Sequence, residues 1–152
     1  MNTKTVAVIA AGAMVALALP ASATPGSGVS GTVVARGTAV EKVKTRGNAP
    51  YDVVVQNLTI APGGHTGWHT HPGIAVAVIK AGTLTIYDGD DASCIGHSYS
   101  AGEVYVDPGY GHIHLGRNES STVALEIAVT YLDVPRNEGV RIDAGDPGTC
   151  TF

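Results

Sequence analysis

Short β-forming runs separated by glycine and proline turns fill most of this chain, and they constrain its fold more than any other feature. Residues 52–60, 74–80 and 122–132 are rich in Val, Ile, Leu and Thr. Turn residues stand between such runs, as in Pro62-Gly63-Gly64 and Asp107-Pro108-Gly109. No segment combines a sustained helical period with caps. Many short strands at close spacing predict an all-β antiparallel sandwich or barrel in a single domain.

Residues 1–23 have the features of a cleavable secretory signal peptide. Lys4 gives a positive start, residues 5–19 are almost wholly small and apolar, and Ala21-Ser22-Ala23 is a typical cleavage pattern. The alternative is a membrane anchor, but the apolar run is shorter than the roughly 20 residues that a spanning helix needs. We therefore expect a secreted or periplasmic protein, with no stable membrane anchor once the leader is removed.

The expected mature chain, residues 24–152, is acidic. The leader holds one of the nine basic residues and none of the thirteen acidic ones, so its removal changes the formal net charge from −4 to −5. Lys42, Lys44 and Arg46 form the only local basic run, and their alternate spacing is typical of the solvated face of a strand. Because nucleic-acid binding normally needs a clustered basic face, we expect no nucleic-acid partner.

Two cysteines, Cys94 and Cys150, are present in this chain. In an exported protein such a pair is expected to form a disulfide, which would tie the C-terminal tail to a loop in mid-chain. The alternative is that one thiolate ligates a metal, but neither cysteine is close in sequence to the histidine pairs described next.

All six histidines lie between His65 and His114, and four of them form two His-x-His pairs. Side chains two apart on a strand point to the same face, so His69 and His71 are predicted to converge, as are His112 and His114. Histidine is the commonest metal ligand among side chains. The pairs therefore indicate a metal site, with His65 and His97 expected to lie outside it.

The spacing around these pairs resembles the two conserved motifs of the cupin superfamily. Residues of the first motif are glycines and histidines at fixed spacing: Gly63, His69, His71 and Gly82. Residues of the second motif follow in the expected order, with one extra residue before the histidine: Gly102, Pro108, His114 and Asn118. The resemblance covers roughly residues 53–131. The chain is identified on these motifs as a suspected cupin, similar to the small secreted single-domain members of cupin type 2.

The resemblance implies a double-stranded β-helix, or jelly-roll barrel, with a metal in its mouth. We expect residues 24–50 to form an N-terminal tail and the first strands, residues 51–135 the cupin barrel, and residues 136–152 a disulfide-tied tail. The ligand role is carried onto His69, His71 and His114, whereas Asn118 serves only to anchor the alignment. Small cupins commonly dimerise, so the resemblance also implies a possible homodimer.

The first motif carries glutamate where this chain has Ala75. Alanine cannot ligate, so either three histidines hold the ion and leave positions open, or another residue substitutes. The ion is expected to be one divalent transition metal, and Fe, Zn, Mn, Cu and Ni all suit this ligand type. Three protein ligands plus an open position is the pattern of catalytic sites. If the strand parity holds, Ala75 and Ala77 face the same cavity and leave room for a small ligand, or they simply fit the taper of a small barrel.

Two further residues are tentative catalytic candidates. Glu126 interrupts an apolar strand between Leu125 and Ile127, so it is either a cavity base or an outward-facing residue. His112 shares the parity of His114, so it is a fourth ligand, an outer partner, a proton shuttle or a cap at the rim. The face of the strand that points inward decides between the two alternatives for Glu126.

Three functions remain open at this stage. The first is a dioxygenase-type enzyme that binds a small molecule at a three-His metal. The second is a non-catalytic β-barrel that holds a metal or a small ligand, and the third is a metal-dependent isomerase or lyase. A further alternative has no metal at all, with His69, His71 and His114 as buried, hydrogen-bonded core residues. Whether the protein is an enzyme at all is not decided by the fold, because function depends on the site.

Overall fold

The computed structural model describes residues 24–39, 45–46 and 50–152, and the predicted signal peptide lies outside these residues. The described residues contain ten strands and no helix. Consequently, none of the described segments is a helix long and apolar enough to cross a membrane.

All ten strands belong to one antiparallel sheet that curls into a nearly closed barrel. In chain order they are β1 (Ser27–Ala39), β2 (Tyr51–His65), β3 (His69–Thr70), β4 (Ala75–Ala81), β5 (Thr83–Asp88), β6 (His97–Ser100), β7 (Val104–Asp107), β8 (His114–Arg117), β9 (Leu125–Val134) and β10 (Ile142–Asp143). The main path of the sheet runs β10-β3-β8-β2-β9-β4-β7, with β1 on β2, β5 on β8, and β6 on β5. The predicted all-β, jelly-roll barrel is confirmed.

The barrel core is built from alternating aliphatic side chains. Along β9, Leu125, Ile127 and Val129 are buried while the residues between them face outward or are only partly covered. They pack against Ile60 of β2 and Ile79 of β4, which are almost fully buried. Because side chains alternate along a strand, this assignment fixes which face of β9 points into the barrel.

A second, smaller cluster joins the C-terminal tail to the strand that carries the first histidine pair. Trp68 is buried against Leu115 and Cys150. Cys150 forms the predicted disulfide with Cys94, with a Cα–Cα separation of 5.3 Å. The tail also adds β10 to β3, so that Asp143 lies opposite His69. The tail is therefore fixed beside the histidines both covalently and by backbone pairing.

One glycine lets two turns approach closely at the end of the barrel that holds the histidines. Gly109 has a φ of +66°, and a Cβ there would lie 2.0 Å from the carbonyl oxygen of Gly73. The next residue, Tyr110, donates its backbone N–H to the carbonyl oxygen of His71 at 2.9 Å. The turn after β7 is thereby connected directly to the backbone of a predicted ligand.

Candidate metal centre

Three histidines from two neighbouring strands meet inside the barrel. His69 in β3 lies opposite His114 in β8, and His71 follows β3 by one residue. Their ring centroids are 4.4 to 5.3 Å apart, and one potential ligand atom from each lies within 4.8 Å of the others. All three side chains are buried. The structure thus brings together the three residues that the two motifs indicate, and they form a group that can hold a metal ion.

Backbone carbonyls fix the tautomer of the first two histidines. The Nδ1 atom of His69 lies 2.9 Å from the carbonyl oxygen of Gly67, and that of His71 lies 2.6 Å from the carbonyl oxygen of Val140. A carbonyl oxygen can only accept a hydrogen bond, so Nδ1 is the protonated nitrogen of each ring. In a neutral imidazole this leaves the Nε2 lone pair free. Metal-binding histidines are commonly oriented by this type of hydrogen bond.

The cluster is uncharged near neutral pH. Burial lowers the pKa of all three imidazoles, and the neighbouring histidines lower the pKa of His69 further. Burial lowers the pKa of His114 to about 4, although the Asp107 carboxylate opposes this effect. Neutral imidazoles carry the lone pairs that a cation needs, so the donor set fits a divalent transition metal.

The lowered pKa values predict that the metal-free protein loses stability as the pH falls from about 6.5 to about 4. In this window the unfolded histidines bind protons that the folded ones do not, so the free energy of unfolding decreases with decreasing pH. We expect His114 alone to contribute about 1–3 kcal/mol. Urea unfolding at several pH values measures this, and His114→Gln should flatten the profile in that window. Identical pH profiles for the two proteins would contradict the prediction.

A buried carboxylate lies on the other side of His114. Asp107, at the end of β7, is fully buried, and its Oδ1 lies 3.5 Å from Nδ1 of His114 and 2.8 Å from Nδ1 of His112. Its Oδ2 accepts the backbone N–H of Gly109 at 3.0 Å. Nε2 of His112 lies 3.3 Å from Oδ1 of Asp88 near the surface. A chain of polar contacts therefore runs from His114 outward to the rim.

His112 is placed at this rim and does not line the cavity beside the three histidines. Its ring stacks on that of His114 with centroids 5.6 Å apart. The regular strand β8 begins only at His114, so the alternation of faces does not extend back to His112. Whether His112 supports the three histidines through hydrogen bonds remains a proposal.

The cavity beside the three histidines is small and largely apolar. It has a volume of about 50 Å³, and its walls include Ala75, Ala77, Ile127 and Val129. Alanine at position 75 leaves this side of the cluster without a ligand from β4. The buried hydroxyl of Tyr105 also borders the cavity and has no hydrogen-bond partner among the described residues. The cavity thus offers an open position and a free polar group to a small ligand.

The expectation that Glu126 could lie in the cavity is wrong. Its carboxylate is about half exposed and lies 3.4 Å from Nζ of Lys80 on the outside of the barrel. Leu125 and Ile127 fill the core, so the intervening side chain must point to solvent. His65 and His97 are also outside the three-His group, as expected.

Sequence reasoning missed two contributors to the site, Asp107 and the segment around Val140. Asp107 stands in a turn sequence, Asp107-Pro108-Gly109, and such residues usually serve the turn alone. The sequence therefore contains no signal that Asp107 belongs to the site, apart from its position directly before the motif proline. Val140 acts through its backbone oxygen, to which no side-chain pattern can point.

Comparison with known proteins supports the fold assignment. No family model and no curated protein matches the sequence. Among solved structures, a cupin-2 domain from Rhodospirillum rubrum matches with a TM-score of 0.52 at 16% identity, over 78% of this chain and 66% of that one. A cupin domain from Bordetella pertussis matches with a TM-score of 0.48 at 24% identity, over 68% and 92% of the two chains. A double-stranded β-helix protein from Klebsiella pneumoniae gives 0.49 at 20% identity, over 73% and 79%.

The first of these similarities, together with the strand order and the position of the histidines, agrees with the two sequence motifs. The chain therefore has the cupin fold, with a three-histidine cluster inside its barrel.

Proposed function

We propose that this protein is an exported metalloprotein whose three histidines hold one divalent transition metal. The observation that carries the proposal is the arrangement of His69 and His71, which turn their free Nε2 lone pairs away from the carbonyls that accept from Nδ1. This orientation leaves the second ring nitrogen of each histidine available to a cation inside the barrel. With a cation, three neutral nitrogens and an open side form the pattern of a reactive site.

We further propose that the site acts on a small molecule as a dioxygenase-type enzyme. A bound iron, manganese or copper ion would supply O₂ activation and Lewis acidity. The protein's own part is to hold three imidazoles, to keep the fourth side open at Ala75, and to exclude water with aliphatic walls. The Tyr105 hydroxyl can donate to a bound ligand, since burial and the neighbouring Asp107 carboxylate keep its pKa high and the phenol protonated.

Isomerase or lyase chemistry is less well supported, because it needs a base inside the cavity. Asp107 is the only carboxylate among the described residues that line the cavity, and it is already bonded to His112 and to the backbone of Gly109. A non-catalytic barrel that only holds a metal or small ligand is the other alternative. It would bind the same ion without turnover.

We assign His112 a positioning role. It holds the Asp107 carboxylate at 2.8 Å, and that carboxylate in turn lies beside Nδ1 of His114. Carboxylate partners of this kind orient a ligating histidine and raise its basicity. His112 would therefore act on the metal through Asp107 and His114.

Metal content tests the proposed function. The mature protein should be purified without an affinity tag, stripped with a chelator, and reconstituted separately with Fe, Mn, Cu, Ni and Zn. We expect about one ion per chain with at least one of these metals. Substoichiometric metal after every reconstitution would overturn the proposal. Substrate-dependent O₂ uptake by the loaded protein then separates an oxygenase from a binding protein.

A further inference from the structure

Arg141 lies at the open end of the barrel, beside the histidine cluster. It stands between Val140, whose carbonyl oxygen accepts from His71, and β10, which pairs with the strand carrying His69. Its side chain lines a mouth cavity of about 210 Å³. This mouth shares His69, His71 and Tyr131 with the inner cavity, so the two cavities are adjacent.

The guanidinium group is anchored at one nitrogen and free at the others. Nε of Arg141 donates to Oδ1 of Asp143 at 2.5 Å, and about one third of the side chain is exposed. Among the described residues, no further partner accepts from its two Nη atoms. A fixed guanidinium with free donors is suited to a planar anion, which it can bind through two parallel hydrogen bonds.

Among the described residues that line the mouth, Arg141 is the only charged one, and its carboxylate partner Asp143 does not line it. The polar lining residues are Gln56, Thr66, Tyr131 and the two histidines. The guanidinium group and the imidazoles of His69 and His71 therefore border the same cavity.

We propose that Arg141 binds the carboxylate of a small organic acid whose other end lies in the inner cavity at the three histidines. This inference rests on the proposed function, because the metal would take the acid's second polar group. The small inner cavity and its aliphatic walls limit that acid to a few carbon atoms beyond the carboxylate. Arg141 is thus the residue that selects anionic ligands over neutral ones.

Matched pairs of acids and amides test the inference by calorimetric titration. We would use pyruvate with pyruvamide, 3-hydroxypropionate with 3-hydroxypropionamide, and 4-hydroxybutyrate with 4-hydroxybutyramide, each added to metal-free and to metal-loaded protein. The wild type should bind at least one acid about 10- to 100-fold more tightly than its amide, the range expected for hydrogen bonds to a charged group. Arg141→Gln should abolish this difference, and Arg141→Lys should keep part of it because lysine lacks the planar fork.

Arg136→Gln is the matched control, since Arg136 carries the same charge but is exposed and lines neither cavity. It should change acid binding by less than about twofold, as expected for a distant screened charge. Acids that bind no better than amides, or equal losses in Arg141→Gln and Arg136→Gln, would overturn the role of Arg141. Protein that holds no metal but still prefers acids through Arg141 would overturn only the metal function. Loaded protein without that preference would overturn only the present inference.

Discussion

Replacing His71 with alanine is expected to lower the affinity for the metal by at least about 100-fold. This exceeds the roughly 10- to 100-fold loss that is typical when a residue that hydrogen-bonds to a metal ligand is removed. The variant removes one of three nitrogens, and the other group of described residues that could hold an ion, Asp107, His112 and His114, does not include His69. Ala75 has no ligand atom, and Asp107 is bonded to His112 and Gly109. Competition with a chromophoric chelator measures the change in affinity.

Thermal unfolding gives a second measure of the same loss. Saturating metal should raise the melting temperature of the wild type but not that of His71→Ala, because ligand stabilisation depends on the ratio of free metal to the dissociation constant. His97→Ala is the control, since it removes an exposed imidazole of β6 outside the three-His group. Equal metal affinity in the two variants would contradict the assignment of His71 as a ligand.

Loss of the Cys94–Cys150 disulfide is expected to lower the free energy of unfolding by about 4 kcal/mol. The bond closes a loop with a sequence separation of 56 residues, so its removal restores much conformational freedom to the unfolded chain. For a domain of this size the melting temperature should fall by about 10–20 °C. Chemical and thermal unfolding of Cys94→Ser/Cys150→Ser test both values.

Reduction provides the matched control for this variant. Dithiothreitol should destabilise the wild type by a similar amount and should leave the double variant unchanged. The variant should also bind metal less tightly, because Cys150 packs on Trp68, which directly precedes His69. Wild-type protein that is equally stable in oxidised and reduced form would contradict the prediction.

The three-histidine cluster could be predicted from sequence because two independent local signals agree on its members. Strand alternation places His69 and His71 on one face, and the motif spacing adds His114. Glu126 was ambiguous because alternation defines two faces without saying which is inside. The barrel decides this through Leu125, Ile127 and Val129, whose bulk fills the core. His112 was ambiguous because alternation was extended into a turn that precedes β8.

Other parts of the site could not be predicted, because they depend on contacts between distant parts of the chain. The hydrogen bond from His71 to the carbonyl of Val140 spans 69 residues. Arg141 belongs to the same returning segment, and nothing in its local sequence distinguishes it from any surface arginine. The pairing of β10 with β3, together with the disulfide, brings this segment to the histidines.

This pairing has a consequence for the order in which the site is assembled during folding. A chain that has folded only its barrel strands has the three histidines without the carbonyl that orients His71. The centre matures when the returning segment docks on β3. Under the proposed function, docking of β10 is therefore the step after which we expect the site to bind its ion at full affinity.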